Sequence, residues 1–361
     1  MIEKILIFCT AFAVSWVVLC LLTPLAQRFA WTDSPNASRK RHTQAVPVIG
    51  GPALLFTLLT LGWVVMRPES DLAYFYMLLG AVVIATLGWF DDQHNLKVRT
   101  RLLGQITAML LLTLGGGVTL TSLGNLFGFG ELHLGGLSVP ITVIAGVGLI
   151  NAFNMIDGID GLAAGLALVT LTFLYALLAF QGVTPAPVLL VVIAALVPFL
   201  AFNCQWPGFR KRYMFLGDSG SMLLGYIVVT ATVYYSQQTP NVLAPVNALW
   251  LVALPLLDLF VVMLRRMMNG QSPMRADRRH LHHLLLRFNL TPRAVSLRLV
   301  VVAIGFATMG VYAQLADLTE SLMLLLAFVV FATVFSLIII LRQFYRIIFA
   351  RLRSRLVSAY R

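Results

Sequence analysis

The chain has 361 residues, of which 59% are hydrophobic and only 11% are charged. A soluble globular domain carries roughly 25% charged residues, so this composition excludes an ordinary soluble fold. Repeated apolar runs of about 20 residues indicate a membrane protein with many spans. The formal net charge of +12 would suggest nucleic-acid binding in a soluble protein. Its meaning here depends on where the basic residues lie.

The apolar runs predict an all-α polytopic membrane protein with about 11 transmembrane helices. In chain order they are 4–23, 47–66, 72–90, 102–120, 139–156, 161–180, 186–203, 220–236, 246–264, 297–316 and 321–341. The first run is long for a signal peptide, so we interpret it as a retained span. We expect one transmembrane catalytic domain over 1–341 and a basic amphipathic cytoplasmic tail over 342–361. Three consecutive glycines at 115–117 predict either close helix packing or a broken helix.

The basic residues are concentrated in alternate loops. Of the 26 lysines and arginines, 24 fall in loops 24–46, 91–101, 204–219 and 265–296, near their edges, or in the tail. Cytoplasmic loops of membrane proteins carry an excess of such residues. The bias predicts an N-terminus outside and a C-terminus in the cytoplasm. It also explains the net charge by topology, so we expect no nucleic-acid partner.

Carboxylates are unexpectedly frequent on the same basic face. Five of them end predicted spans: Asp91, Asp92, Asp157, Asp160 and Asp218. An aspartate at the bilayer centre costs about 2.5–3.5 kcal/mol on insertion scales. The cost is smaller at the boundary, where water or a cation reaches the side chain. Five such residues on one face predict a shared functional site.

The segment NAFNMIDGIDGL at 151–162 contains four polar side chains at three-residue intervals. Each such step turns a helix by −60°, so Asn151, Asn154 and Asp157 share one face of about 120°. The two glycines allow the helix to stop, which predicts a tight turn with Asp160 folded back towards the same pocket. The alternative is helix capping, which would account for one or two of the four.

Two further motifs place carboxylates beside this segment. WFDDQHNL at 89–96 sets Asp91 next to Asp92, and paired carboxylates suit a divalent cation or a proton acceptor beside one. FLGDSGS at 215–221 introduces Asp218 at a predicted helix N-terminus, which suits an anion or a metal. An ordinary N-cap is the alternative for Asp218.

The loop after the ninth span contains Arg265, His280, His282 and His283. Zinc is disfavoured there, because no cysteine accompanies the histidines and adjacent histidines do not share one helix face. Arginine beside histidine suits a phosphate or diphosphate better. We expect Asp258, two turns before Arg265, to form a buried ion pair with it. The three cysteines are scattered and predict neither a disulfide framework nor a metal site.

Four motifs together carry a family resemblance: NAFNMIDGIDGLAAG, Asp-Asp at 91–92, FLGDSGS and SPMRADRRHLHH. In that order they resemble the polyprenyl-phosphate N-acetylhexosamine-1-phosphate transferase superfamily, over nearly the whole chain from PVIGG at 47–51. The His-Leu-His-His form is similar to the branch that uses UDP-N-acetylglucosamine. It differs from the branch with three consecutive histidines, which uses a muramyl-pentapeptide donor.

The resemblance implies a phosphoglycosyl transferase of the bacterial inner membrane with its active site on the cytoplasmic face. UDP-N-acetylglucosamine and undecaprenyl phosphate would give undecaprenyl-pyrophosphoryl-N-acetylglucosamine and UMP, with Mg²⁺ or Mn²⁺ as cofactor. The product would begin O-antigen, enterobacterial common antigen or a related envelope glycan. Membrane lipids are expected partners, and homodimers occur among family members.

The resemblance also implies roles for individual residues. Asp91 resembles a residue proposed to deprotonate the lipid phosphate, although a largely ionised phosphate leaves Asp91 free to orient metal or acceptor instead. Asp218 and Asp92 are the implied metal ligands, and with Asp91 the implied catalytic set. The implied substrate-binding residues are Asn154, Asp157, Asp160, Asn203, Phe215, Arg265, His280, His282 and His283.

Two other interpretations remain open from sequence. The same chemistry with another UDP-N-acetylhexosamine donor needs no change in these motifs. A lipid-linked sugar transporter is the alternative of a different class. Transporters usually place charges near the bilayer midplane, often with repeat symmetry, and neither feature is evident here.

Overall fold

A computed structural model describes residues 2–33, 45–66, 72–209, 213–238, 242–272 and 280–359, with side chains described as far as 341. The α-helices are α1 (Ile2–Arg28), α2 (Gly50–Met66), α3 (Leu72–His94), α4 (Val98–Leu110), α5 (Ser138–Ile156), α6 (Leu162–Phe180), α7 (Pro187–Asn203), α8 (Gly217–Ser236), α9 (Pro245–Leu251), α10 (Ala253–Met268), α11 (Leu281–Leu286), α12 (Pro292–Leu315) and α13 (Glu320–Ala359). The apolar runs of the sequence therefore fold as helices, as predicted.

Membrane-spanning character is clear from these helices. In the described part of the chain, six helices are long and apolar enough to cross a bilayer, or seven if one bent pair counts as a single span. Large apolar side chains are exposed on the outside of the bundle, such as Leu21 on α1, Leu297 on α12 and Phe328 on α13. Side chains of this kind are stable against lipid. The protein is a polytopic helical membrane protein.

Two predicted spans differ from the observed helices. The span expected over 246–264 is broken into α9 and α10, which meet at a bend of 84°. The span expected over 102–120 ends earlier, because α4 passes into a π-helical turn over Leu111–Gly115. A side chain on Gly115 would overlap the Tyr76 ring. Both alternatives predicted for the glycine run therefore apply. Gly115 packs closely against Tyr76, and the helix ends within the run.

Helix α8 is the central element for the site. It packs between α3 and α5, and most of its residues are buried. Two short strands, β1 (Thr32–Asp33) and β2 (Val46–Pro47), form an antiparallel pair near its N-terminus. The chain after β2 then joins the segment before α8, because Phe215 N donates to Pro47 O at 2.8 Å and Gly50 N donates to Phe215 O at 3.0 Å. The N-terminus of α2 is thereby joined to the N-terminus of α8.

Candidate active site

Asp91 lies near the C-terminal end of α3, where it is buried. Its Oδ1 accepts a hydrogen bond from Leu96 N at 2.7 Å, and its Oδ2 accepts one from Arg101 Nη1 on α4 at 2.9 Å. Both carboxylate oxygens are therefore engaged by donors of the protein. Sequence analysis did not select Arg101, because a single arginine among several in a cytoplasmic loop gives no signal of pairing.

Asp92 points towards the start of α8. Its Oδ1 accepts from Asp218 N at 2.8 Å, and its Oδ2 accepts from Ser219 N at 3.2 Å. The first N–H groups of a helix have no partner within the helix, and a carboxylate also interacts favourably with the helix dipole. Asp92 thus caps α8 from another helix. The FLGDSGS motif makes no side-chain cap of its own at this position.

Asp218 meets the polar face of α5. Asn154 Nδ2 donates to Asp218 Oδ1 at 2.8 Å and to Ser221 Oγ at 3.1 Å. The carboxylates of Asp92 and Asp91 lie close enough to Asp218 for their charges to act on it. The structure brings Asp92, Asp218 and Asn154 together through these hydrogen bonds, with Asp91 beside Asp92 on α3.

One turn earlier on α5, Asn151 serves a different purpose. Its Nδ2 donates to Gln105 Oε1 on α4 at 2.7 Å and to Val147 O at 2.7 Å. Gln105 is buried, so this pair joins α4 to α5 behind the carboxylates. Helix α4 also carries Arg101, four residues before Gln105. Helix α4 therefore contacts α3 through Arg101 and α5 through Gln105.

The loop between α5 and α6 follows the predicted form. Helix α5 ends at Ile156, Asp157 is its C-cap residue, and Gly161 adopts φ +75° just before α6 begins. Burial raises the pKa of Asp157 well above its usual range, and the charges of Asp218, Asp160 and Asp92 raise it further. Asp157 therefore belongs to the same electrostatic cluster.

Asp160, on the same loop, has a partner that sequence analysis missed. Tyr213 Oη donates to both carboxylate oxygens of Asp160, each at 2.8 Å. Tyr213 also packs edge-on against Phe215, with ring centroids 5.2 Å apart. A tyrosine two residues before the predicted aromatic carries no motif of its own, so only the fold reveals this contact.

Asn203 occupies a joint between segments. It is buried, its Oδ1 accepts from Gly161 N at 2.6 Å, and its Nδ2 donates to Met214 O at 2.8 Å. The side chain thereby ties the Asp157–Asp160 loop to the strand-like segment before α8. The predicted contact of Asn203 with the nucleotide stays a prediction.

The expected ion pair between Asp258 and Arg265 is corrected by the structure. Asp258 Oδ2 lies 2.7 Å from His280 Nδ1, and its Oδ1 accepts from Leu281 N at 2.7 Å. The physical reason is that Asp258 lies beside the N-terminus of α11, where free N–H groups need an acceptor. His280 is accordingly buried and held in place.

The other two histidines differ in exposure. His282 is buried with both ring nitrogens unpartnered, whereas His283 is half-buried. Burial, with a smaller effect of His283, lowers the pKa of His282 to about 3, so its ring is neutral near pH 7. Its Nε2 lies against Gly158, where a Cβ would overlap the ring. The histidine motif is thus packed directly onto the Asp157–Asp160 loop.

Arg265 lies half-buried in the last turn of α10, on the helix that contacts α5. Residues 273–279 of the SPMRADRRHLHH motif and 210–212 of the basic GFRKRY cluster lie outside the described residues, as do the side chains of the basic tail. In the described part of the chain, no three histidine, cysteine or acidic side chains are already arranged as a complete metal site. The three cysteines, all within the described residues, form no disulfide with one another.

A helical bundle with a carboxylate-rich site at the ends of α3, α5 and α8 defines a membrane enzyme of the phosphoglycosyl transferase class. Residues 74–236 match the glycosyl transferase family 4. The chain belongs to this family, because relatives that share at least 30% identity are covered over most of their length.

Three relatives illustrate the similarity, and each is called undecaprenyl-phosphate alpha-N-acetylglucosaminyl 1-phosphate transferase. The protein of Escherichia coli K12 is 33% identical over 84% of this chain and 82% of its own length. The Yersinia pestis protein is 32% identical over 89% and 88%, respectively. The Haemophilus influenzae protein is 35% identical over 88% and 89%.

Proposed function

We propose that the protein transfers N-acetylglucosamine 1-phosphate from UDP-N-acetylglucosamine to undecaprenyl phosphate. The products are undecaprenyl-pyrophosphoryl-N-acetylglucosamine and UMP. The observation that carries the proposal is the meeting of Asp91, Asp92 and Asp218 with Asn154 at the ends of three helices. The names of the relatives supply the acceptor, undecaprenyl phosphate, and the transferred group, N-acetylglucosamine 1-phosphate.

The transfer is a displacement at phosphorus. An oxygen of the lipid phosphate attacks the phosphorus that carries the sugar, and the bond from that phosphorus to the UMP oxygen breaks. Most of the catalysis of such a step is positioning and charge stabilisation. A site at the rim of a helical bundle suits it, because a soluble nucleotide sugar and a membrane lipid meet there.

The donor set fits a divalent cation. Among the described residues, Arg101 pairs with one of the three neighbouring carboxylates, Asp91, and a divalent cation would offset negative charge on the other two. Mg²⁺ is usually held by one or two carboxylates together with substrate phosphates, which agrees with the lack of a complete site among the described residues. Asp218 and Asp92 would hold Mg²⁺ or Mn²⁺, and the ion would neutralise charge on the reacting phosphates.

For Asp91 we favour an orienting role over a general base. Both of its oxygens are engaged, by Leu96 N and by Arg101, and the side chain is buried. A general base must reach the proton that it takes. A lipid phosphate with a second pKa of about 6 is already largely ionised at neutral pH. Asp91 then holds Arg101 and the adjacent Asp92 in place.

The nucleotide end of the donor is assigned to the other side of the cluster. Asp157, Asp160 and Phe215 would contact the nucleoside, and Arg265 with His283 would contact the diphosphate. His280 and His282 would support this grip from within the protein, since His280 is bound to Asp258 and His282 is buried.

For the membrane arrangement we propose 11 spans, an N-terminus outside and a cytoplasmic C-terminus, in the bacterial inner membrane. The bias of lysine and arginine to alternate loops supports this orientation. The active site would then face the cytoplasm, where UDP-sugars are found. The product would enter O-antigen, enterobacterial common antigen or related glycan synthesis, and the enzyme would work as a homodimer.

A donor panel tests the proposal. Purified protein is given undecaprenyl phosphate, Mg²⁺ and, in separate reactions, UDP-N-acetylglucosamine, UDP-N-acetylgalactosamine or UDP-glucose. We expect UMP release chiefly with UDP-N-acetylglucosamine, and none after chelation of the metal. Equal release with another UDP-N-acetylhexosamine would support the alternative donor, and no release from folded protein would refute the assignment.

A further inference from the structure

We propose that Tyr213 is a positioning residue that fixes Asp160 as the acceptor for the imide N–H of a uracil base. The inference rests on the proposed function, because it assigns the nucleotide half of the donor to this side of the site. It adds a residue to which the sequence analysis gave no role in the site. A carboxylate held in this way selects a base such as uracil, in which the ring nitrogen between two carbonyl groups carries a hydrogen-bond donor.

Asp160 needs an external support. It lies in the short loop between α5 and α6, where regular helical hydrogen bonds do not hold it. Tyr213 Oη lies 2.8 Å from each oxygen of its carboxylate, so the single hydroxyl proton is shared between them. A hydroxyl held equally close to both oxygens restrains the position and orientation of the carboxylate.

Tyr213 is itself well anchored. The next residue, Met214, is buried, and its carbonyl accepts from Asn203 at 2.8 Å. Phe215 N donates to Pro47 O at 2.8 Å. Because Asn203 also accepts from Gly161 N at 2.6 Å, the loop and the 213–215 segment move as one unit. A tyrosine on this segment therefore holds a constant distance from Asp160.

The contact also links two parts of the pocket. The Tyr213 ring packs edge-on against Phe215 at 5.2 Å, so the aromatic face and the carboxylate acceptor share one support. Burial and the nearby Asp160 raise the pKa of Tyr213 above its usual value. The phenol is consequently a donor at neutral pH, and Asp160 remains the acceptor.

The chemistry of pyrimidines supplies a test. Uracil carries an N–H at ring position three, whereas cytosine has a lone pair there that a carboxylate repels. A fixed Asp160 should therefore favour UMP over CMP. We measure binding of each nucleotide to the purified full-length protein by calorimetry, in wild type and in Tyr213→Phe. Phenylalanine keeps the ring and its packing and removes only the hydroxyl, so folding is preserved.

We expect Tyr213→Phe to weaken UMP binding about tenfold, as the loss of a hydrogen bond to a charged group predicts, and to leave CMP binding nearly unchanged. Selectivity for UMP then falls by about tenfold. Tyr312→Phe, at an exposed position on α12, is the matched control and should leave both affinities unchanged. In an Asp160→Asn background, Tyr213→Phe should have no further effect on selectivity.

Two results would overturn the inference. One is unchanged selectivity in Tyr213→Phe, and the other is an equal loss of UMP binding in the Asp160→Asn background. Both leave the proposed transferase function intact, because it is measured separately by UMP release from wild type. A wild type that binds neither nucleotide would overturn this inference, whereas the proposed function is decided by UMP release alone.

Discussion

At the scale of single residues, the ion pair between Asp91 and Arg101 decides how the site is organised. Asp91 is buried, whereas 31% of the Arg101 side chain is exposed. A buried carboxylate that loses its partner is strongly destabilised, while an exposed partner reduces the effect. Arg101 therefore supports the acidic cluster at a point where solvent still reaches its guanidinium.

Replacement of Arg101 by methionine should leave Asp91 buried with one donor fewer. We expect a loss of roughly 1–3 kcal/mol of stability and a large loss of activity, with partial recovery in Arg101→Lys. Thermal melting and UMP release measure the two effects. Arg99→Met, an exposed arginine on the same helix, is the control. Wild-type melting and activity in Arg101→Met would show that Asp91 does not depend on this pair.

Asp157 gives a prediction about pH. Its pKa is raised in the folded protein, so the folded state holds this proton more tightly than the unfolded state. The contribution to stability is therefore present in acid and is lost as the pH rises above about 4, the usual aspartate range. Asp157→Asn removes the effect.

Without metal or substrate, Asp157→Asn should melt at a higher temperature than wild type at pH 8, with the difference shrinking towards pH 4. Activity should fall sharply, because the carboxylate is lost. Asp317→Asn, at an exposed position in the loop before α13, should change neither quantity. A variant that melts below wild type at pH 8 would contradict the raised pKa.

At the scale of elements, the packing of α11 on the loop between α5 and α6 joins distant parts of the sequence. His282 lies against Gly158, and Asp258 binds His280 and the N-terminus of α11. The histidine motif therefore contacts the loop that carries Asp157 and Asp160, through the His282 ring and the Gly158 backbone.

This contact predicts a specific suppression. Gly158→Ala places a methyl group into the His282 ring and should cost about 1–3 kcal/mol, the usual range for overpacking. The second change His282→Ala removes the ring and should restore part of the melting temperature of Gly158→Ala. Gly148→Ala, where a Cβ meets open space on α5, should have little effect. A double variant less stable than both single variants would exclude direct packing.

The elements also show what sequence alone can predict. The hydrophobic runs of the sequence predicted most of the helices. The carboxylates at the ends of the predicted spans indicated one shared site for Asp91, Asp92, Asp157 and Asp218. The bend between α9 and α10 was missed, although Pro255 marks it: proline is tolerated in the first turn of a helix, and Pro255 stands in the first turn of α10. Arg101, Gln105 and Tyr213 were missed because their roles depend on partners many residues away. The partner of Asp258 was wrong for the same reason, since helical spacing favoured Arg265 over a histidine beyond the loop.

At the scale of the whole molecule, topology determines which substrates reach the site. The orientation proposed here places the segment after α4 outside and the end of α3 inside. Phe129 is 97% exposed, and His94 is also exposed at the other end of the bundle. These two positions make a matched pair for labelling.

In a background with the three native cysteines replaced by alanine, a membrane-impermeant thiol reagent should label Phe129→Cys in intact cells. His94→Cys should be labelled only after the inner membrane is opened. The opposite pattern would reverse the proposed topology and move the site to the outer face.

The central claim is that the enzyme moves a phosphate together with the sugar. UDP-N-acetylglucosamine labelled with ³²P at the phosphate next to the sugar distinguishes this from simple glycosyl transfer. With undecaprenyl phosphate and Mg²⁺, the label should enter the lipid fraction with wild type, and Asp218→Asn should transfer almost none. Sugar in the lipid with the label left on UDP would contradict the account.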